Sequence, residues 1–136
     1  MDALPKKLLQ RVNVITPNEH EARLITGKKD LHDCGRWLQQ AGCEKVVITM
    51  GSRGVWMFEG RQNEIVPLPF KVKPVDTVGA GDCFTAWLSV GIAEGLSFFR
   101  AVQRAMVAAA ICITRPGAQN SMPSRREVER IHSKNV

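Results

Sequence analysis

Apolar residues along this chain occur both in short continuous runs and at helical spacing, which predicts strands separated by helices. Lys45–Met50 (KVVITM) is typical of a buried strand, and Val12–Ile15 of a shorter one. Val55–Phe58 and Glu64–Leu68 flank Gly60 and predict a hairpin. The pattern therefore predicts an α/β fold with a mainly parallel sheet, flanking helices and an edge hairpin.

Capping residues predict where the helices begin and end. Thr16 as N-cap, Pro17 at the first helical position and Glu19 as the capping-box partner predict a helix that ends at Gly27. The other predicted helices cover residues 4–11, 30–41, 81–95, 97–113 and the segment that follows a Ser124–Glu127 capping box.

The order of these elements predicts one partial domain over residues 1–136. The chain begins in the middle of a β–α pattern, and it has few strands for a complete doubly wound sheet. We therefore expect a half-domain or a fragment.

Composition and length are those of a globular protein of one domain. The chain has 136 residues, of which 44% are hydrophobic and 24% charged, which excludes a disordered, collagen-like or disulfide-scaffold class. No uncharged apolar run reaches the roughly 18 residues of a membrane span, and the start lacks the apolar core of a signal peptide. The four cysteines form no CxxC pair, so we expect reduced thiols and a cytoplasmic location.

The formal net charge is +6, which fits either a solvated basic surface or an anionic small molecule such as a nucleotide. Nucleic acid is the weaker alternative, because the chain has no Tyr and does not interleave basic with aromatic residues.

The most informative segment is DTVGAGDCF, which precedes an apolar helix. The small residues Gly79, Ala80 and Gly81 let backbone N–H groups approach an anion, and a helix that starts there adds its positive end. Asp82, in the first turn, then fits a base that takes a proton from an attacking hydroxyl. A glycine turn with an acidic helix cap explains the same residues equally well. The spacing excludes the Walker A loop and the dinucleotide fingerprint.

Four segments together resemble the ribokinase-like (PfkB) sugar kinase family, with the strongest similarity to its ribokinase branch. In chain order they are TPNEHEARLITG, VVITMGSRGVWMF, DTVGAGDCF and TRPGAQNSMP. The resemblance implies the C-terminal part of a ribokinase-like fold and phosphoryl transfer from ATP to a sugar hydroxyl, with ribose as the expected sugar.

The resemblance also implies roles for single residues. Asp82 matches the catalytic base, and Gly79, Ala80 and Gly81 match the anion hole. Asn18 and Glu21 match a pair that arranges Mg²⁺ and its water shell. Without the resemblance, an exposed polar helix start explains that pair.

A second set of implied roles concerns the nucleotide. The family's nucleotide turn is matched by four residues, Thr49, Gly51, Ser52 and Gly54. Met106 falls where the family lines its adenine pocket, although an ordinary core methionine explains it equally well. Arg53, inside the turn, is expected to be solvated.

The resemblance further implies a K⁺ site. Asp76 and Ser121 match its side-chain ligands, and backbone carbonyls near Val78, Cys112 and Gly117 complete it.

Two departures from the family pattern qualify these expectations. Trp87 stands where Gly or Ala is usual, and overpacking there would cost about 1–3 kcal/mol. The family's sugar-binding half and its lid are absent, so we expect a homo-oligomer or a complementing N-terminal half, and poor solubility without one. A nucleotide-binding remnant without catalysis and a domain that binds no nucleotide stay open as alternatives.

Overall fold

The computed structural model describes residues 4–135, which fold into two compact units, one ending at Pro67 and the next beginning at Leu68. The elements of the first unit are α1 (Lys6–Leu9), β1 (Val14–Ile15), α2 (Glu19–Thr26), α3 (Leu31–Gln40), β2 (Lys45–Thr49), a 3₁₀ turn (Gly51–Arg53), β3 (Val55–Glu59) and β4 (Gln62–Val66). Those of the second unit are α4 (Ala80–Ala93), α5 (Phe98–Cys112) and α6 (Arg125–Asn135).

The first unit contains a four-stranded sheet with the strand order β1-β2-β3-β4. Only β1 and β2 pair in parallel, whereas β2–β3 and β3–β4 are antiparallel, so the sheet predicted to be mainly parallel is mixed in the described residues. The reason is the short connection between β2 and β3, since a few residues can join only antiparallel neighbours. The predicted edge hairpin is confirmed as β3–β4.

Helix α2 starts two residues later than the sequence predicts. Its N-cap is Asn18, not Thr16, and the capping-box partner is Glu21, not Glu19. Backbone pairing of Asn18 with Thr49 in a parallel bridge holds the chain extended up to Asn18, so the helix cannot begin at Pro17. The predicted end at Gly27 is confirmed.

The core of the first unit lies between the sheet and the helices α2 and α3. One face of α3 is apolar and buried, formed by Leu31, Cys34, Leu38 and the following Ala41. They pack with residues of β2 and β3 such as Val46. This packing fixes the helix starts relative to the strand ends.

The second unit is a layer of three helices, in which α4 and α6 both pack on α5. The predicted helix starts at Ser97 and at the Ser124–Glu127 capping box are confirmed by their hydrogen bonds. One core cluster joins the three helices, formed by Cys83, Val107, Ala108, Ile111, Cys112 and Val128. Within residues 4–135, no helix combines the length and the apolar character that crossing a membrane requires.

Candidate active site

The first group of predicted site residues lies where β1 leads into α2. The Asn18 side chain accepts a hydrogen bond from the Glu21 N–H through Oδ1, and Glu21 Oε2 accepts one from the Asn18 N–H, each at 2.9 Å. The capping box thus uses one oxygen of each exposed side chain. Glu21 is exposed, and its second carboxylate oxygen is a ligand of the kind that suits Mg²⁺ with its water shell.

The predicted nucleotide turn lies beside this helix start. The Thr49 N–H donates to the Pro17 carbonyl at 3.0 Å, directly before the bridge between Asn18 and Thr49. Thr49 and Asn18 are therefore neighbours at the carboxyl ends of the two parallel strands. In α/β proteins this edge of a parallel sheet is where ligands bind.

Gly54 fixes the shape of that turn. Its φ is +88°, and a Cβ there would overlap the Val66 carbonyl oxygen and lie 2.9 Å from Pro67 Cα. The turn is closed by the Met50 N–H donating to the Gly54 carbonyl at 2.9 Å. Gly51 and Ser52, by contrast, are exposed, and a Cβ at Gly51 would meet open space. The backbone of the turn is thus constrained at Gly54, whereas its tip at Gly51 and Ser52 is accessible to solvent.

In the second unit, the glycine loop and Asp82 form the start of α4. Gly79 has a φ of +81°, and a Cβ there would lie 3.2 Å from Ala118 Cα. The Ala80 N–H donates to the Thr77 carbonyl at 3.3 Å, so one of the three predicted anion-hole amides has a partner within the loop. A Cβ at Gly81 would meet no atom within 4 Å, and Asp82 is exposed in the first helical turn.

The predicted K⁺ segments are brought together by Asp76. One carboxylate oxygen accepts from the Val78 N–H at 2.9 Å, and the other accepts from the Gly117 N–H at 3.0 Å. These backbone hydrogen bonds, from Val78 first and then from Gly117, hold the pKa of Asp76 below its ordinary value. Asp76 is therefore kept ionised between two segments whose carbonyl oxygens are the hard ligands an alkali cation takes.

Ser121 and Cys112, the other predicted K⁺ residues, are buried and hydrogen-bonded within their own segment. Ser121 is fully buried, and its hydroxyl donates to the Ala118 carbonyl at 2.7 Å. The Cys112 Sγ is 3.1 Å from the Ser121 Oγ, and the Cys112 carbonyl accepts from the Arg115 N–H at 3.2 Å. Hydrogen bonds within the segment thus hold residues 112–121 together. Ser121 could ligate a cation only through the remaining lone pair of its hydroxyl oxygen.

Two interactions near this loop were not predicted from the sequence, that of Cys83 with Cys112 and that of Arg115 with Glu127. Burial, followed by its interaction with Cys112, raises the pKa of the Cys83 thiol to about 12. The Arg115 guanidinium pairs with Glu127, and that hydrogen bond together with those from Ser124 lowers the pKa of Glu127 to about 2. Both pairs join residues far apart in sequence, and no motif marks them.

Met106 and Trp87, two further residues singled out from the sequence, lie in helices α5 and α4. Met106 is 3% exposed within α5, so it belongs to the packed interior of the second unit. Trp87 is half-buried at the border of the core cluster rather than enclosed by it. This position gives its ring the space that the expected overpacking would deny.

Comparison with known proteins agrees with this arrangement of segments. The family model "pfkB family carbohydrate kinase" matches residues 1–125. The ribokinase of Bacillus subtilis is 37% identical over 130 residues, covering 96% of this chain and 43% of that protein. The chain therefore spans less than half the length of the curated relatives it matches.

Solved structures give the same result for the fold. A ribokinase from Thermotoga maritima superposes with a TM-score of 0.90 at 34% identity, covering 97% of this chain and 46% of that chain. An Arabidopsis thaliana ribokinase complexed with ribose and ATP gives 0.87 at 30% identity, over 96% and 44%. The chain has the ribokinase-like α/β fold, and it belongs to the pfkB family of carbohydrate kinases.

Proposed function

We propose that this chain supplies the nucleotide-binding and base-carrying part of an ATP-dependent sugar kinase, with ribose as the sugar. The observation that carries the proposal is the exposed Asp82, one residue after a glycine that leaves open space beside the backbone. Family membership and the ribose and ATP bound by the Arabidopsis thaliana ribokinase support it.

In this proposal Asp82 accepts the proton of the sugar hydroxyl as that oxygen attacks the terminal phosphorus of ATP. The bond from this phosphorus to the oxygen that bridges it to the β-phosphate breaks, and ADP leaves with that oxygen. The backbone amides of Gly79 and Gly81 stabilise the negative charge on the transferring phosphoryl group, aided by the positive end of α4. The Ala80 amide joins them by exchanging its 3.3 Å hydrogen bond to the Thr77 carbonyl for one to the phosphoryl group. Phosphoryl transfer depends mainly on such positioning and charge stabilisation, so an aspartate and a few amides suffice as protein groups.

The remaining predicted residues bind the nucleotide and the ions. The turn formed by Thr49, Gly51, Ser52 and Gly54 would hold the nucleotide. Met106 would line the adenine pocket only with the edge that its 3% exposure leaves accessible, so it is the weakest of these assignments. Asn18 and Glu21 would arrange Mg²⁺ and its water shell, and the ion would neutralise charge on the phosphates. Asp76, Ser121 and the carbonyls of Val78, Cys112 and Gly117 would hold K⁺, which would order the loop that they form.

A second candidate is a nucleotide-binding fragment that catalyses nothing by itself. It is favoured by the chain matching only 43% of the Bacillus subtilis ribokinase. In the first unit, Leu24 is 49% exposed in a mostly apolar groove of about 350 Å³. The groove is lined by Leu4, Ile15, Thr16, Pro17, Glu21, Leu24 and Ile25. In the second unit, Val90 and Ile92 are exposed on α4. Apolar surface of this kind is what a complementing N-terminal half or a second copy would cover.

The experiment is a coupled ADP-release assay with ribose, Mg²⁺ and K⁺, alongside calorimetric titration with ADP. We expect ADP binding by the isolated chain, negligible turnover, and turnover after addition of an N-terminal half from a related ribokinase. Robust turnover by the isolated chain would refute the second candidate, a fragment that catalyses nothing by itself. Absence of ADP binding by the folded chain would refute both candidates.

Asp82→Asn separates the base from the binding site. It should abolish turnover of the complemented enzyme while leaving ADP affinity nearly unchanged. The matched control is Asp33→Asn, an exposed aspartate in the first turn of α3 that has no proposed role in catalysis. That the two units form one partial domain, and that the protein is cytoplasmic, stay predictions.

A further inference from the structure

Arg53, in the middle of the glycine-rich turn, is held by a carboxylate instead of being simply solvated. Its guanidinium Nη2 is ion-paired with Glu19 Oε1, at the first residue of α2. The Arg53 side chain is 64% exposed and that of Glu19 28% exposed. Arg23 Nη2, one helical turn further along, lies 3.9 Å from the same oxygen. Glu19 therefore faces two arginines, and Arg53 has one anionic partner at the surface.

The pair is held in place by backbone contacts on both sides. The Arg53 N–H donates to the Met50 carbonyl at 3.2 Å, which keeps the arginine in the 3₁₀ turn after β2. The bridge between Asn18 and Thr49 fixes the start of α2 against the end of β2. Arg53 thus reaches Glu19 without any change in the turn, and release from Glu19 needs only a side-chain rotation.

An exposed ion pair of this kind is easily exchanged. Exposed pairs contribute little to stability, because water and salt screen them. A guanidinium binds a phosphate through paired hydrogen bonds, and a polyphosphate carries more charge than one carboxylate. A nucleotide polyphosphate that reaches the turn can therefore displace Glu19 from Arg53.

We propose that Arg53 contacts the phosphates of the bound nucleotide and selects for their number, while Glu19 holds Arg53 in the nucleotide-free chain. The proposal rests on the proposed function, since it uses the turn as a nucleotide site. It goes further by assigning to one side chain the preference for ADP and ATP over AMP and adenosine.

The test measures affinities of the full 136-residue chain for ADP, AMP and adenosine with Mg²⁺. Arg53→Gln should weaken ADP binding about 5- to 20-fold, the usual weight of a charge-assisted contact, and leave adenosine binding unchanged. Glu19→Gln should strengthen ADP binding by up to about 5-fold, since the competing ion pair is lost. The double variant should bind ADP no better than Arg53→Gln.

Arg61→Gln is the matched control, because it removes the same charge from an exposed arginine at the opposite end of β3. It should leave the ratio of ADP to adenosine affinity unchanged. An Arg53→Gln chain with unaltered ADP affinity, or one that loses ADP and adenosine binding equally, would overturn the role of Arg53 while leaving nucleotide binding intact. A wild-type chain that binds neither ADP nor adenosine would instead overturn the proposed function and this inference with it.

Discussion

The guanidinium carbon of Arg104 lies 5.5 Å from the centre of the Trp87 ring, so a buried arginine on α5 covers the indole on α4. The same guanidinium is 2.8 Å from Glu94 Oε2, and its side chain is only 8% exposed. A cation over an indole face is attracted by the ring, more strongly when water is excluded. The arginine and the tryptophan therefore stabilise the packing of α4 on α5 together.

Arg104→Ala should destabilise the chain by about 2 kcal/mol, since it removes the ion pair, the ring contact and the packing of a long side chain. Urea denaturation followed by circular dichroism measures this loss. Arg126→Ala, an exposed arginine on α6, is the control and should change stability by less than about 0.5 kcal/mol. If Arg104→Ala and Trp87→Ala were additive in the double variant, the two side chains would not be coupled.

Two glycines two positions apart at the start of α4, Gly79 and Gly81, should respond in opposite ways to substitution by alanine. Gly79→Ala should destabilise the chain by about 1–3 kcal/mol, because φ is +81° there and Ala118 Cα is 3.2 Å from the added carbon. Gly81→Ala should leave stability equal or up to about 1 kcal/mol higher, because open space and a helical position favour alanine.

The second half of this prediction concerns ligand binding. If backbone at Gly81 approaches a phosphate, Gly81→Ala should weaken ADP binding although the fold is intact. Thermal melting and calorimetry on the same samples separate the two effects. A Gly81→Ala chain that is stable and binds ADP as the wild type does would exclude a close approach at this position.

Low pH should destabilise the loop that precedes α6, because Glu127 then becomes protonated. Its pKa is lowered from an ordinary value of 4.5 to about 2, first by the Arg115 hydrogen bond and then by those from Ser124. The folded state then binds fewer protons than the unfolded state, so the stabilisation is present above pH 4.5 and is lost as the pH falls towards 2.

Glu127→Gln should therefore flatten the fall of the melting temperature between these pH values, relative to the wild type. The fall should not vanish, since hydrogen bonds from Arg125 and Arg104 also lower the pKa of Glu94. Glu129→Gln, on the same helix, is the matched charge control. Equal slopes for Glu127→Gln and wild type would show that Glu127 is not linked to folding.

The melting temperature should be a few degrees higher in potassium than in sodium or tetramethylammonium at equal concentration. An ion that binds only the folded chain stabilises it by mass action. Asp76→Asn should remove the difference between the salts, since the ionised carboxylate is the charged ligand of the proposed site. Glu129→Gln should retain it. Identical midpoints in all three salts for the wild type would argue against a cation site in this loop.

Sequence reasoning located the helix starts where one capping residue stands alone and misplaced the one where two compete. Ser97 and Ser124 have no rival nearby, and both cap as expected. Before α2, Thr16 and Asn18 each have a glutamate three residues on, and the choice is made by the bridge from Asn18 to Thr49. That contact joins residues 31 positions apart, so local pattern cannot contain it.

The same limit applies to the candidate site. The glycine loop before Asp82 was visible as a motif, because its chemistry depends on neighbouring residues. The contact of Arg104 with Trp87, the pair of Arg53 with Glu19 and the hydrogen bond from Gly117 to Asp76 depend on packing between distant segments. The antiparallel direction of β3 differs from these contacts, because it was predictable from the sequence. The short turn after β2 already requires an antiparallel neighbour.

The four buried thiols make the chain a reporter of its own opening. Cys34 and Cys43 lie in the interior of the first unit, and Cys83 and Cys112 in that of the second. An alkylating reagent reaches such a thiol only when the surrounding structure opens, so the modification rate at each cysteine measures the free energy of the opening that exposes it. Peptide mapping after timed alkylation would thus resolve, without any label or mutation, which unit opens first and whether a bound nucleotide closes one unit or both.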